Sequence, residues 1–232
     1  MDIAARTWTD LDNADAEHAL LPVGSTEQHG PHAPLGTDTL SAEAVAAAGA
    51  EQFVGEVAIA PPVPVGVSEE HRHFAGTLWV SEDSFRSYVG DVLDSLAAQG
   101  FSKTVVVNGH GGNVSPLREV AGRKTRGGEG RVVPFTWFDA LDVPEMGHAG
   151  PAETAFLRHT HPDLVREDRV EEAAADAAER WGEWVSGVNV AYDTEAFSAN
   201  GVVGDPREGN AERGKELLER SAEALADLLG AL

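Results

Sequence analysis

The sequence predicts an α/β fold in three layers, with a mainly parallel central sheet between helices. Three observations predict it. Short apolar runs alternate with helix-like segments along the chain, the pattern that places helices on both faces of a parallel sheet. The run Thr104–Val107 is β-branched throughout, as suits a central strand. The 232 residues suit a single domain with a sizeable hydrophobic core, taken here as 1–232.

Each element follows from its local pattern. Ala19–Val23 is a short apolar run that stops at Gly24 and reads as a buried strand. Ser41–Phe53 is rich in alanine and reads as a helix. Val57–Ala60, ahead of Pro61 and Pro62, is a second strand. In Ser84–Ala98 the residues Phe85, Tyr88, Val89, Val92, Leu93 and Leu96 recur at helical spacing, giving one apolar stripe that ends before Gly100. Ser115–Arg126 reads as a helix and Arg131–Phe135 as a strand. A further helix starts near Pro151, where a missing N–H costs nothing. Ala211–Leu229 is an amphipathic helix with Leu217, Leu218, Leu225, Leu228 and Leu229 on one side. Sites in such sheets lie in loops beyond the carboxyl ends of strands.

Composition excludes several classes. Asp and Glu number 39 against 17 Lys and Arg, for a net charge of −22. No positive footprint exists for nucleic acid or for an anionic membrane. The chain has no cysteine, which removes disulfides, thiolate metal sites and Cys nucleophiles. No segment reads as a signal peptide or a membrane span, so a cytoplasmic protein is expected. Among the basic residues only Lys103, Lys124 and Lys215 are lysines. Acidic excess with little lysine and much alanine fits a salt-loving host, because molar salt shortens the Debye length to about 3 Å and screens carboxylate repulsion. An acidic protein from an ordinary host is the alternative.

Three segments carry candidate chemistry. The first runs from Gly24 to Asp38. In extended chain Glu27 and His29 point the same way, and the glycines and prolines that follow can return Asp38 to them. Carboxylate, imidazole and carboxylate suit a transition-metal dication; a polar surface loop is the other reading. The second is Asn108-Gly109-His110-Gly111-Gly112-Asn113, at the end of the most apolar strand. It reads as a ligand-bearing turn, a structural turn or an anion-binding loop, with Asn113 able to cap the next helix. The third is Gly147 to Thr154. There His148 is an acid/base candidate or a structural histidine, and Glu153 is either a ligand or a carboxylate that complements the helix dipole.

Taken in order, these segments resemble the creatininase (creatinine amidohydrolase) family over about Leu21 to Gly214. The resemblance also rests on Glu70-His71 with Phe74-Ala75-Gly76-Thr77, and on Gly201-Val202-Val203-Gly204-Asp205-Pro206. It implies a creatininase-like α/β fold and a metal-dependent amidohydrolase that acts on a non-peptide amide with a metal-activated water. By motif, Glu27, His29, Asp38 and His110 would be metal ligands, with Asp38 bridging two divalent ions of Zn, Mn or Fe(II). Creatininase proper has a ligand Glu where this chain has Gly112, and Glu153 is the best replacement. His148 would be the catalytic proton donor. Creatininase has a Glu before that histidine, where this chain has Gly147. His71 is a second candidate near the pocket, or a solvent-exposed loop histidine.

The two departures count against creatinine as substrate. The family's archaeal deformylase branch, which hydrolyses a formamidopyrimidine ribonucleotide in riboflavin and deazaflavin biosynthesis, is the leading expectation. Creatinine hydrolysis, other amides, peptide processing and a catalytically inactive metal-binding assembly protein are alternatives. A nucleotide would need a local cation for its phosphate, with Arg72, His73 or Arg118 as candidates. The resemblance also implies a homo-oligomer, for which Trp79, Trp181 and Trp184 are either contact or core residues.

Overall fold

The computed structural model describes residues 1–128, 130–144 and 146–232. Four strands form the main sheet: β1 (His18–Val23), β2 (Val57–Ile59), β3 (Lys103–Asn108) and β4 (Arg131–Thr136). Their order is β2-β1-β3-β4, and every pairing is parallel. The helices are α1 (Trp8–Asp12), α2 (Thr37–Gln52), α3 (Glu82–Ala98), α4 (Val114–Gly127), α5 (Trp137–Leu141), α6 (Pro151–Thr160), α7 (Val170–Ala175) and α8 (Ala211–Ala231). A small antiparallel hairpin, β5 (Trp184–Val185) with β6 (Val188–Asn189), lies apart from the sheet.

The sheet is buried on both faces, as its apolar strands require. On one face Leu21, Val23 and Val106 pack with Phe85, Val89 and Leu93 of α3 and Leu117 and Val120 of α4. On the other, Leu20, Val105 and Val107 pack with Val45 of α2, Phe156 of α6 and Leu217, Leu225 and Leu229 of α8. Fully burying one such side chain contributes about 1.5–3 kcal/mol. These two layers of helix complete the three-layer architecture.

Several details differ from the sequence reading. The first long helix begins at Thr37, four residues before the alanine-rich run, so Asp38 sits in its first turn. Tyr88 is 56% exposed, which narrows the predicted stripe on α3 to its neighbours. Asn113 makes no side-chain cap to α4. Instead its Oδ1 accepts from Val67 N–H and its Nδ2 donates to the Gly24 carbonyl, tying the strand ends together. Trp79, Trp181 and Trp184 are 40%, 37% and 46% exposed, so none of them is a core residue.

Two glycines set the distance between α2 and the sheet. A Cβ on Gly24, just past β1, would lie 2.4 Å from Thr39 N. A Cβ on Gly109, just past β3, would lie 2.1 Å from the Asp38 carbonyl oxygen. Only hydrogen at both places lets the first turn of α2 press against the carboxyl ends of β1 and β3. Gly109→Ala should therefore lower stability by about 1–3 kcal/mol or more, the cost of an overpacked core. Gly111→Ala, whose Cβ meets open space, should leave it nearly unchanged. Thermal unfolding of both variants checks this.

Candidate metal centre

The candidate residues converge beyond the carboxyl end of the sheet. Glu27 and His29 follow β1, His110 follows β3, Asp38 lies in the first turn of α2, and Glu153 lies in the first turn of α6. All five are buried. Glu27, Asp38 and His110 form one group of potential ligands, and His29, His148 and Glu153 a second. Within each group the ligand atoms all lie within 4.8 Å of one another.

Asp38 stands between the groups. Its Oδ1 lies 3.2 Å from His29 Nε2 and its Oδ2 lies 3.2 Å from His110 Nδ1. The opposite nitrogens are engaged with backbone. His29 Nδ1 lies 3.2 Å from the Glu27 carbonyl, and His110 Nε2 lies 2.7 Å from the Val67 carbonyl. A carbonyl only accepts, so those nitrogens carry the protons. His29 Nε2 and His110 Nδ1 therefore turn lone pairs toward the carboxylates, the tautomer that metal-ligating imidazoles need.

Lone pair facing lone pair is repulsive unless something positive lies between. Glu27 Oε1 and Oε2, His29 Nε2 and Asp38 Oδ2 are buried without a hydrogen-bond partner. Such unsatisfied buried groups are costly, most of all when charged. The donor set, carboxylate oxygens with imidazole nitrogens and no sulfur, fits Zn, Mn or Fe(II). The residues present thus fit divalent cations.

Without a cation, protons take that place. Burial acts to lower His29, but the charges of Asp38 and Glu153 outweigh it and raise its pKa well above 6.5. His110 is raised well above 6.5 against the same burial by Glu27 and Asp38. Asp38 is held below the usual carboxylate range: burial opposes this, and His29 and His110 overcome it.

Glu153 joins the two readings given for it. Its Oε2 accepts from Ala149 N–H, just ahead of α6, while its Oε1 faces His29 Nε2 at 3.7 Å. Gly112 and Gly147 cannot carry the side chains found there in creatininase. A Cβ at Gly112 would lie 2.1 Å from the Val67 carbonyl, and one at Gly147 would lie 2.1 Å from the Val203 carbonyl. Gly147 also has φ +61°, a left-handed backbone that favours glycine.

His71 and His148 complete the cluster. His71 is fully buried rather than solvent-exposed, with Nε2 3.5 Å from Glu27 Oε1. His148 Nδ1 lies 3.8 Å from the same oxygen. Burial lowers both pKa values, helped by His148 at His71 and by His29 at His148. The cavity over these groups has a volume of about 380 Å³, and Phe138, Met146, Trp181 and Glu70 also line it. Trp181 packs edge-on against both rings, with centroids 5.7 and 5.8 Å away. Trp181, expected from the sequence at a contact or in the core, and Glu70, with no role expected, both belong to this cavity. No local pattern carries Trp181 to the cavity, whereas adjacency to His71 was a signal for Glu70.

The candidate phosphate residues lie elsewhere. Arg72 pairs with Asp193 at 2.6 Å, His73 faces Asp193 and Glu195, and Arg118 lies 3.5 Å from Asp139 in a separate depression. Among the described residues, no arginine or lysine lines the cavity.

The raised histidines set a pH dependence. A group whose folded pKa is raised contributes stability that is complete below its unfolded pKa and is lost as pH rises through the folded value. The Tm of the metal-free protein should therefore fall as pH rises above 6.5. The stabilisation given by zinc should grow over the same range, since it no longer displaces protons. Thermal unfolding with and without zinc across this range tests the pattern. A metal-free Tm that climbs there would contradict it.

Comparisons with known proteins bear on the family and the fold. A family model described as creatinine amidohydrolase matches residues 4–229. The "Mycofactocin precursor peptide peptidase" of Mycobacterium ulcerans is 38% identical over 206 residues, covering 85% of this chain and 78% of that protein. The "Creatinine amidohydrolase" of Pseudomonas putida is 26% identical, covering 90% of this chain and 87% of that protein. A solved structure described as "Creatininase Mn" superposes with a TM-score of 0.78 at 24% identity, covering 98% of this chain and 96% of that one. A creatininase variant of Zn–Zn type gives a TM-score of 0.80 at 25% identity with the same coverage. These superpositions show the fold, and the match along almost the whole sequence shows that the chain belongs to the creatininase family.

Proposed function

We propose that the chain is a metal-dependent hydrolase that cleaves a peptide-type amide in a short peptide, with two divalent cations held on either side of Asp38. The observation that carries it is the buried set of unpartnered carboxylate and imidazole atoms at the floor of the cavity. Glu27, Asp38 and His110 would hold one cation, and His29, Asp38 and Glu153 the other. When bound, such cations acidify a water and polarise the scissile carbonyl.

The chain's own residues supply the rest. His148 is neutral near pH 7, because burial and His29 lower its pKa, so it can take a proton from the attacking water. Returning that proton to the leaving nitrogen completes the cleavage. Phe138, Met146 and Trp181 present apolar surface to the substrate and exclude water from that side.

Two observations favour a peptide. Relatives 38% identical over 85% of the chain are described as precursor peptide peptidases. Four carboxylates, Glu27, Asp38, Glu70 and Glu153, line the cavity, and among the described residues no arginine or lysine does, which disfavours a phosphate. A formamidopyrimidine ribonucleotide therefore ranks second, and creatinine third, since Gly112 and Gly147 replace residues of the creatininase site. We also propose that the acidic surface is an adaptation to salt.

A substrate panel tests the reading. A precursor-type peptide should be cleaved, with activity lost to a chelator and regained with Zn, Mn or Fe(II). Turnover of the nucleotide alone would replace the peptide assignment, and turnover of nothing would favour a metal-binding scaffold. His148→Ala should keep its metal and lower kcat by about 10²–10⁴-fold. For the salt proposal, Tm should rise steadily from low salt to molar KCl as surface repulsion is screened; a flat or falling curve would overturn it.

A further inference from the structure

Gln28 lies between the ligands Glu27 and His29, and its side chain turns toward two other histidines. Its amide orientation is fixed by backbone. The oxygen Oε1 accepts from Gly30 N–H at 2.9 Å, and Nε2 donates to the Gly201 carbonyl at 3.0 Å. Reversing the amide would break both bonds. Gly201 is shaped to this contact: a Cβ there would lie 1.9 Å from Gln28 Oε1.

One amide proton remains, and two ring nitrogens compete for it. His71 Nδ1 and His148 Nε2 each lie 2.9 Å from Gln28 Nε2. His148 Nε2 also lies 2.8 Å from the Gln28 backbone carbonyl, which only accepts. That nitrogen is therefore an N–H and cannot receive the amide proton. The proton goes to His71 Nδ1, which must offer a lone pair. The Thr194 hydroxyl, 3.1 Å from the same nitrogen, can donate or accept and so does not itself set the tautomer.

We propose that Gln28 is a positioning residue that fixes opposite tautomers on the stacked His71 and His148 rings, so that one presents a donor and the other an acceptor to the cavity. The rings lie 4.5 Å apart and 21° from parallel. His71 then aims Nε2–H at the space beside Glu27 Oε1, and His148 aims a bare Nδ1 at the same space. A neutral imidazole has one N–H and one lone pair, so each assignment on the outer nitrogen dictates the inner one. The donor serves an attacking water or the oxygen that gains charge as the amide is attacked; the acceptor takes the proton. The same assignment disfavours a third cation among Glu27, His71 and His148, although their ligand atoms lie within 4.8 Å of one another. His71 Nε2 already carries a proton. The catalytic half of this inference rests on the hydrolase reading; the tautomers do not.

The test is two-bond ¹⁵N–¹H correlation of histidine-labelled, zinc-loaded full-length protein, zinc being diamagnetic. His71 should show Nδ1 unprotonated and Nε2 protonated, and His148 should show Nε2 protonated. The same tautomer on both rings, or protonated Nδ1 on His71, would overturn the proposal. Gln28→Glu keeps the acceptor for Gly30 but has no proton to give, so His71 should switch to Nδ1–H and kcat should fall by about 100-fold. An unchanged His71 tautomer in folded Gln28→Glu would also overturn it. Thr194→Val should leave the tautomer in place, and if Gln28→Glu fails to fold the wild-type spectrum alone decides. The predicted tautomers in a protein that cleaves no amide would support the positioning role and refute the hydrolase reading.

Discussion

The architecture of the site depends on one carboxylate held between two imidazole lone pairs. Asp38 faces His29 with one oxygen and His110 with the other, each at 3.2 Å. Neither imidazole can turn away, because its far nitrogen donates to a backbone carbonyl. The arrangement stores an electrostatic demand that only protons or cations meet. Its geometry is set far below the side chains, by Gly24 and Gly109, which let a helix start press against two strand ends. Fold and chemistry are therefore coupled: moving the first turn of α2 outward by one methyl group would separate Asp38 from His29 and His110.

Much of this was legible in the sequence. The four strands are short runs with apolar centres closed by glycine, proline or polar residues, and β1 and β3 lie at the interior of the sheet. The ordered motifs located Glu27, His29, Asp38, His110, Glu153 and His148, which the fold brings together. What stayed hidden depends on contacts between distant segments. The start of α2 was missed because Thr37 to Leu40 lacks an apolar stripe; tertiary contact, and not propensity, makes it helical. Asn113 looked like a cap because a cap is local, whereas its real partners, Val67 and Gly24, lie far away in sequence. Arg72 adjoins His71 in sequence, but its charge is engaged by Asp193, 121 residues on.

Electrostatics operates here on two scales. The whole chain carries −22, which disfavours any polyanion at long range. Inside the cavity Glu27, Asp38 and Glu153 are buried beside imidazole nitrogens, a donor set that fits small dications. The apolar wall of Phe138, Met146 and Trp181 lowers the local dielectric and strengthens each of those interactions. Substrate choice is then left to the shape and charge of the walls, where this chain has glycine at two positions that carry acidic side chains in creatininase.

The most direct test of the central claim is anomalous diffraction from crystals grown with zinc. The account predicts two peaks on opposite sides of Asp38, one bound by Glu27 and His110 and the other by His29 and Glu153. A single peak that leaves one Asp38 oxygen free, or zinc bound away from Asp38, would contradict it.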